Sequence, residues 1–170
     1  MLVNFFAKST PISFMALVVL FLGNFTLAIF VQEPSLFETE QPFSTIFQSL
    51  FLVLFYLFFF VFILRKNKLT FDNFYALLLS ISFFGFFPEV VFSTHQLVIH
   101  TVLLILLRKI FSLRTPANLI EKVFDCGFWF AILVLVDTSM LPYGILVYIG
   151  ILLFQSLNFR TLTLPILGAI

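Results

Sequence analysis

Apolar residues in this chain come in long continuous runs, and the polar residues collect between them. The first run, Ile12 to Val31, follows Lys8-Ser9-Thr10-Pro11. Ser9 or Thr10 can cap a helix there, and Pro11 suits its first turn. Twenty residues at about 1.5 Å each reach ~30 Å, one hydrocarbon thickness. Gln32 to Pro42 reads as a loop with Glu33, Glu38, Glu40, Pro34 and Pro42. A second run, Phe43 to Leu64, ends on Arg65-Lys66-Asn67-Lys68. A third opens near Asp72 and stops where Gly85 and Pro88 break the chain. Pro88 starts a helix well, and Glu89 suits the positive end of its dipole. That fourth helix is expected to run unbroken to Arg108-Lys109.

Ser112 to Asn118 turns. A fifth helix continues to about Asp137, and Asp137 to Pro142 closes the next turn. A sixth helix follows, and Thr161 to Ile170 is apolar but too short to span. The predicted helices lie over 12–31, 43–64, 71–87, 88–110, 119–137 and 142–157, with 161–170 the start of another. The expected fold class is all-α: a polytopic transmembrane helix bundle of about six helices plus the start of a seventh. It forms one transmembrane domain over 1–170, which resembles the first part of a longer protein. A barrel is not expected, because barrel strands alternate over ~10 residues.

The charges orient the bundle. With Lys8 in the cytoplasm, counting crossings puts Arg65, Lys66, Lys68, Arg108, Lys109, Arg114, Lys122 and Arg160 on that same side, so all nine basic residues agree. Glu33, Glu38, Glu40, Glu89 and Asp137 then face outward. The chain is 62% apolar and 10% charged, against about 45–50% and 25% for a soluble domain. Lipid is therefore the expected solvent for most of its surface. A net charge of +1 offers no basic field for nucleic acid. One cysteine excludes an intramolecular disulfide and a multi-cysteine metal site.

Candidate chemistry follows from depth. Only eleven residues separate Asp125 from Asp137, ~16 Å of helix, so one of the two carboxylates is drawn to the edge of the membrane or into it. Only twelve separate His95 from Arg108, which puts His100, and His95 with it, inside the membrane. Such groups mark ion or proton pathways, or pair with a neighbour. Arg108 and Lys109 are natural partners for Asp125, and Arg108 is preferred for its planar fork. His95 and His100 lie about 140° apart on a helix and do not form a metal clamp. Glu38, Glu40, Glu89 and Asp137 are candidate catalytic carboxylates if they converge. The positive-inside bias also explains acids on that side with no chemistry at all. No metal site and no cofactor are expected.

Three parts of the chain are familiar. Asn4-Phe5-Phe6-Ala7-Lys8-Ser9-Thr10-Pro11-Ile12 resembles the N-terminus of an uncharacterised multi-pass inner-membrane family of flavobacteria and relatives. Leu107-Arg108-Lys109-Ile110-Phe111-Ser112-Leu113-Arg114, with Lys122-Val123-Phe124-Asp125-Cys126-Gly127-Phe128-Trp129, resembles that family's central block. Arg160 through Leu164-Pro165-Ile166 and Gly168 is similar to a further segment of it. Cys126 stands where the family has a small residue. The resemblance implies the N-terminal half of such a protein, in the inner membrane, with its N-terminus cytoplasmic. It implies no activity. A structural or envelope-assembly role is the leading expectation, with membrane lipids and other envelope proteins as partners. The alternatives are a transferase acting on a lipid-linked glycan substrate through the outer carboxylates, and a proton-linked transporter using Asp125 and His100.

Overall fold

A computed structural model describes residues 5–7, 10–37, 42–154 and 158–169. Among these residues the chain is all-helical. The helices are α1 (Pro11–Phe37), α2 (Pro42–Lys66), α3 (Tyr75–Phe86), α4 (Pro88–Phe92), α5 (Thr94–Ser112), α6 (Leu119–Val136), α7 (Gly144–Phe154) and α8 (Phe159–Ala169), with a 3-10 turn at Thr138–Tyr143 before α7. Three stretches are long and apolar enough to cross a membrane: Pro11–Gln32, Phe43–Lys66 and Thr94–Ser112. The protein is thus a membrane protein built on transmembrane helices. The chain divides into two compact units, Met1–Val98 and Ile99–Ile170.

The helix ends show why the chain folds where it does. Thr10 caps α1, its Oγ1 accepting from the Ser13 N–H at 3.2 Å, with Pro11 in the first turn. The helix continues through the expected loop to Phe37. Pro34 lies within that range although an interior proline removes one helical hydrogen bond. The end of α2 is a Schellman motif. Leu69 N–H reaches the Leu64 carbonyl at 3.1 Å and Lys68 N–H the Arg65 carbonyl at 3.2 Å. Lys68 takes the left-handed position with φ 50°, which costs a side-chain-bearing residue about 1–2 kcal/mol. Asn73, not Asp72, opens α3 by accepting from the Tyr75 N–H at 3.3 Å, so that helix starts later than 71.

The expected helix over 88–110 is two helices. Ser93 breaks it with an extended ψ of 93°. Ser93 Oγ then accepts from the Gln96 N–H at 3.4 Å and Leu97 N–H bonds the Ser93 carbonyl at 3.0 Å. Ser93-Thr94-His95-Gln96 has the spacing of a capping box, which outweighs the continuous apolar run. The predicted 119–137 helix matches α6. The predicted 142–157 helix starts later, at Gly144, because Asp137 winds residues 138–143 into the 3-10 turn, and 155–157 lie outside the described residues.

In the first unit α1 packs against α3 and α4, and α2 packs on α4. The core holds Leu17, Phe25, Ala28, Val53, Leu57, Ile81, Phe84 and Val91. Gly85 lies inside α3 rather than breaking it. There it leaves room for Asn24, whose Oδ1 would stand 2.7 Å from a Cβ at that position. Asn24 Nδ2 donates to the Ile81 carbonyl at 2.9 Å and ties α1 to α3.

In the second unit α6 packs most closely on α8. Val123, Cys126, Gly127 and Leu133 are buried on α6, and Thr161, Pro165 and Gly168 on α8. The α8 set is spaced by four and three residues, and the α6 set falls within about 120° of arc at 100° per residue, so each marks one helix face. A Cβ at Gly127 would run into the Pro165 carbonyl, and one at Gly168 into the Phe124 carbonyl. The two backbones touch because neither residue has a side chain.

Candidate functional site

The best-defined polar constellation is the elbow between α5 and α6. α5 ends in an apolar stretch with Arg108 and Lys109 near its C-terminus, where cations suit the helix dipole. The chain then turns through Arg114 and Thr115. Asn118 opens α6 from a left-handed conformation, φ 53°. Lys122 closes the elbow on itself, its Nζ donating to the Thr115 Oγ1 at 2.6 Å and to the Thr115 carbonyl at 3.0 Å.

Asp125 sits one turn further along α6 and is held by Lys109, Nζ to Oδ2 at 2.6 Å. The side chains keep 32% and 42% of their surface outside the protein, so the pair is at the edge of the unit and not sealed inside it. Lys109 makes this contact where Arg108 was expected. Successive residues are turned by about 100° around a helix, so position decides the partner before the chemistry of the cation does. Beside the pair, Cys126 is fully buried. A thiol in apolar surroundings is a packing group, and the α6–α8 contact at Gly127 lies next to it.

His95 lies in the first turn of α5 and is exposed, while His100, further along the same helix, is partly buried. The break at Ser93 makes His95 a helix-end residue of the Thr94–Ser112 stretch and not an interior residue of one helix over 88–110. Glu89 is exposed in the first turn of the short α4, which belongs to the first unit. Asp137 belongs to the second, where Oδ1 accepts from the Ser139 N–H at 2.8 Å and starts the 3-10 turn. Glu38 and Glu40 lie outside the described residues. No group of three or more His, Cys, Asp or Glu suited to a metal occurs among the described residues.

The polar residue missed in the sequence is Asn24. It stands within an otherwise apolar run of membrane-spanning length. An amide at that depth needs a partner, since an unsatisfied one is expensive in hydrocarbon. That isolation was the available signal. Its partner, 57 residues away on α3, carried none, because a backbone carbonyl has no sequence signature.

No protein-family profile, no curated protein and no solved structure matches this chain.

Proposed function

We propose that this protein is a multi-pass component of a bacterial inner membrane, serving envelope structure or assembly. The observation that carries this reading is the use of its polar groups. Asn24 ties α1 to α3, Lys109 holds Asp125, Lys122 closes the elbow, and Asp137 caps a turn. Polar groups kept inside a membrane serve either chemistry or helix-to-helix attachment. The Asn24 and Lys109 contacts are of the second kind, while those of Lys122 and Asp137 close local turns. Membrane lipids and other envelope proteins are the partners this role requires.

The proposed topology has six crossings with the N-terminus in the cytoplasm and all nine basic residues on that side. α3 and α7 are shorter than a full span. They complete a crossing only together with flanking residues, the 3-10 turn Thr138–Tyr143 before α7 included. The resemblance of the N-terminal stretch and the Leu107–Arg114 block to a bacterial inner-membrane family supports the location.

Two measurements test the reading. In a Cys126→Ser background, Glu38→Cys and Thr70→Cys should label from opposite sides of the membrane. Labelling of both from outside sinks the topology. In a strain lacking the protein, the variants Glu89→Ala, His95→Ala, His100→Ala and Asp137→Ala should restore the envelope when expressed to normal level. Failure of Glu89→Ala or Asp137→Ala at normal level would favour transfer to a lipid-linked substrate. Failure of His100→Ala together with Asp125→Asn would favour proton-linked transport.

A further inference from the structure

A cavity of about 260 Å³ opens where α2 ends, between the last turn of α2, the connecting segment and the start of α3. α2 is one of the three span-length helices, and its candidate span ends at Lys66. The cavity therefore sits at one end of a candidate span. Its lining combines apolar residues, Leu64 and Phe74 among them, with Arg65, Lys68, Thr70 and Asp72.

Two features of this lining stand out. Lys68 holds the left-handed position of the Schellman motif. Glycine closes a helix there with least strain, so a lysine lines the cavity at a conformational cost. In addition, Asp72 makes no ion pair with Arg65 or Lys68 among the described residues, although all three line one space. Charges of both signs are presented around the cavity without neutralising one another.

We infer that this cavity receives the headgroup of a zwitterionic, amine-bearing membrane phospholipid. The phosphate lies toward Arg65 and Lys68, with the Thr70 hydroxyl as a further donor, and the primary ammonium lies toward Asp72. Basic pockets at the ends of spans bind lipid phosphates. A headgroup with only negative charge would leave its anion facing Asp72. The volume is below the ~300–1,000 Å³ of pockets that enclose a whole drug-sized ligand, which suits a headgroup whose acyl chains remain in the bilayer. The inference needs α2 to end at a membrane surface. It does not depend on the structural role proposed above.

The test uses the full chain purified in detergent and native mass spectrometry with phosphatidylethanolamine and phosphatidylglycerol of matched acyl chains. The wild type should retain phosphatidylethanolamine in preference. Arg65→Gln combined with Lys68→Gln should lower that retention about ten-fold, the scale of one charge-assisted hydrogen bond. Lys68→Gly should also lower it while unfolding at the same or a higher temperature, because glycine relaxes the left-handed position. Asp72→Asn should shift the preference toward phosphatidylglycerol, a change that a purely structural aspartate would not produce. Equal retention of the two lipids by the wild type would overturn the inference, as would unchanged retention in the double variant. Displacement of the lipid by millimolar inorganic phosphate would make this a free-phosphate site and would equally overturn it.

Discussion

The two units attach their helices by opposite means. In the first, α1 meets α3 through a side chain: Asn24 reaches across to the Ile81 carbonyl, and Gly85 supplies the room. In the second, α6 meets α8 backbone to backbone, with Gly127 against Pro165 and Gly168 against Phe124. Lipid tails are as apolar as leucine, so burial of apolar surface drives helix association weakly in a membrane. Hydrogen bonds and close packing must do it instead, and each unit relies on one of them. They should fail differently. A flexible amide can move aside, whereas two backbones cannot.

The largest effect should therefore come from Gly127→Leu. Overpacking a close-packed site costs about 1–3 kcal/mol and occasionally more, and with backbone on both sides of the contact the upper end is expected. Cys126, buried beside it and the chain's single cysteine, makes the measurement direct. A thiol-reactive fluorophore should label Cys126 at a lower temperature in Gly127→Leu than in the wild type. Trp129, the single tryptophan and also on α6, should report the same transition. An unchanged labelling temperature would mean that α6 and α8 do not meet at these glycines.

In the first unit the matching changes should be smaller and coupled. Asn24→Ala removes an interhelical hydrogen bond, worth about 0.6–1.7 kcal/mol in membranes. Gly85→Ala should cost less than a comparable change at Gly127, because its obstacle is the end of the Asn24 side chain. Once Asn24 is alanine that obstacle is gone, and Gly85→Ala should become close to neutral. Thermal melts followed by circular dichroism on the two single variants and the double variant would show this. Additive losses would place Gly85 against something other than Asn24.

How far the sequence revealed these features depended on whether a signal was local. The all-helical fold, the Pro11 and Pro88 helix starts and a cap at Ser9 or Thr10 could be read from run lengths and neighbouring residues. The break at Ser93 was equally local, in the Ser93-to-Gln96 spacing, but the long apolar run drew attention from it. The Schellman end at Lys68 was hidden because a lysine stands where glycine is usual. The Asn24 bond and the α6–α8 contact join residues far apart in sequence, and small or isolated residues mark only one side of each. At the candidate site, the pairing of Asp125 with the basic end of α5 was legible from the short connection. Which of two adjacent cations makes the contact depends on helix rotation, which the composition of the elbow does not record.

That ambiguity leads to the smallest effect. Lys109 and Asp125 are joined at 2.6 Å but keep 32% and 42% of their side chains outside the protein. Exposed ion pairs contribute about 0.2–1 kcal/mol in water, and at the edge of a membrane the pair gains somewhat from lower dielectric and loses somewhat to desolvation. Asp125→Asn and Lys109→Gln should each lower the Cys126 labelling temperature slightly, and the double variant should lose less than their sum. The same cycle run with Arg108→Gln separates the two cations. Since neighbouring positions are turned by about 100° around the helix, Arg108 should show weaker coupling to Asp125 than Lys109 does. If Arg108 coupled more strongly, the fork of the guanidinium would be outweighing helix position, and the end of α5 would have to rotate in the membrane to allow it. If neither cation coupled, Asp125 would be retained for something other than holding α5 to α6, and proton-linked transport would become the reading to pursue.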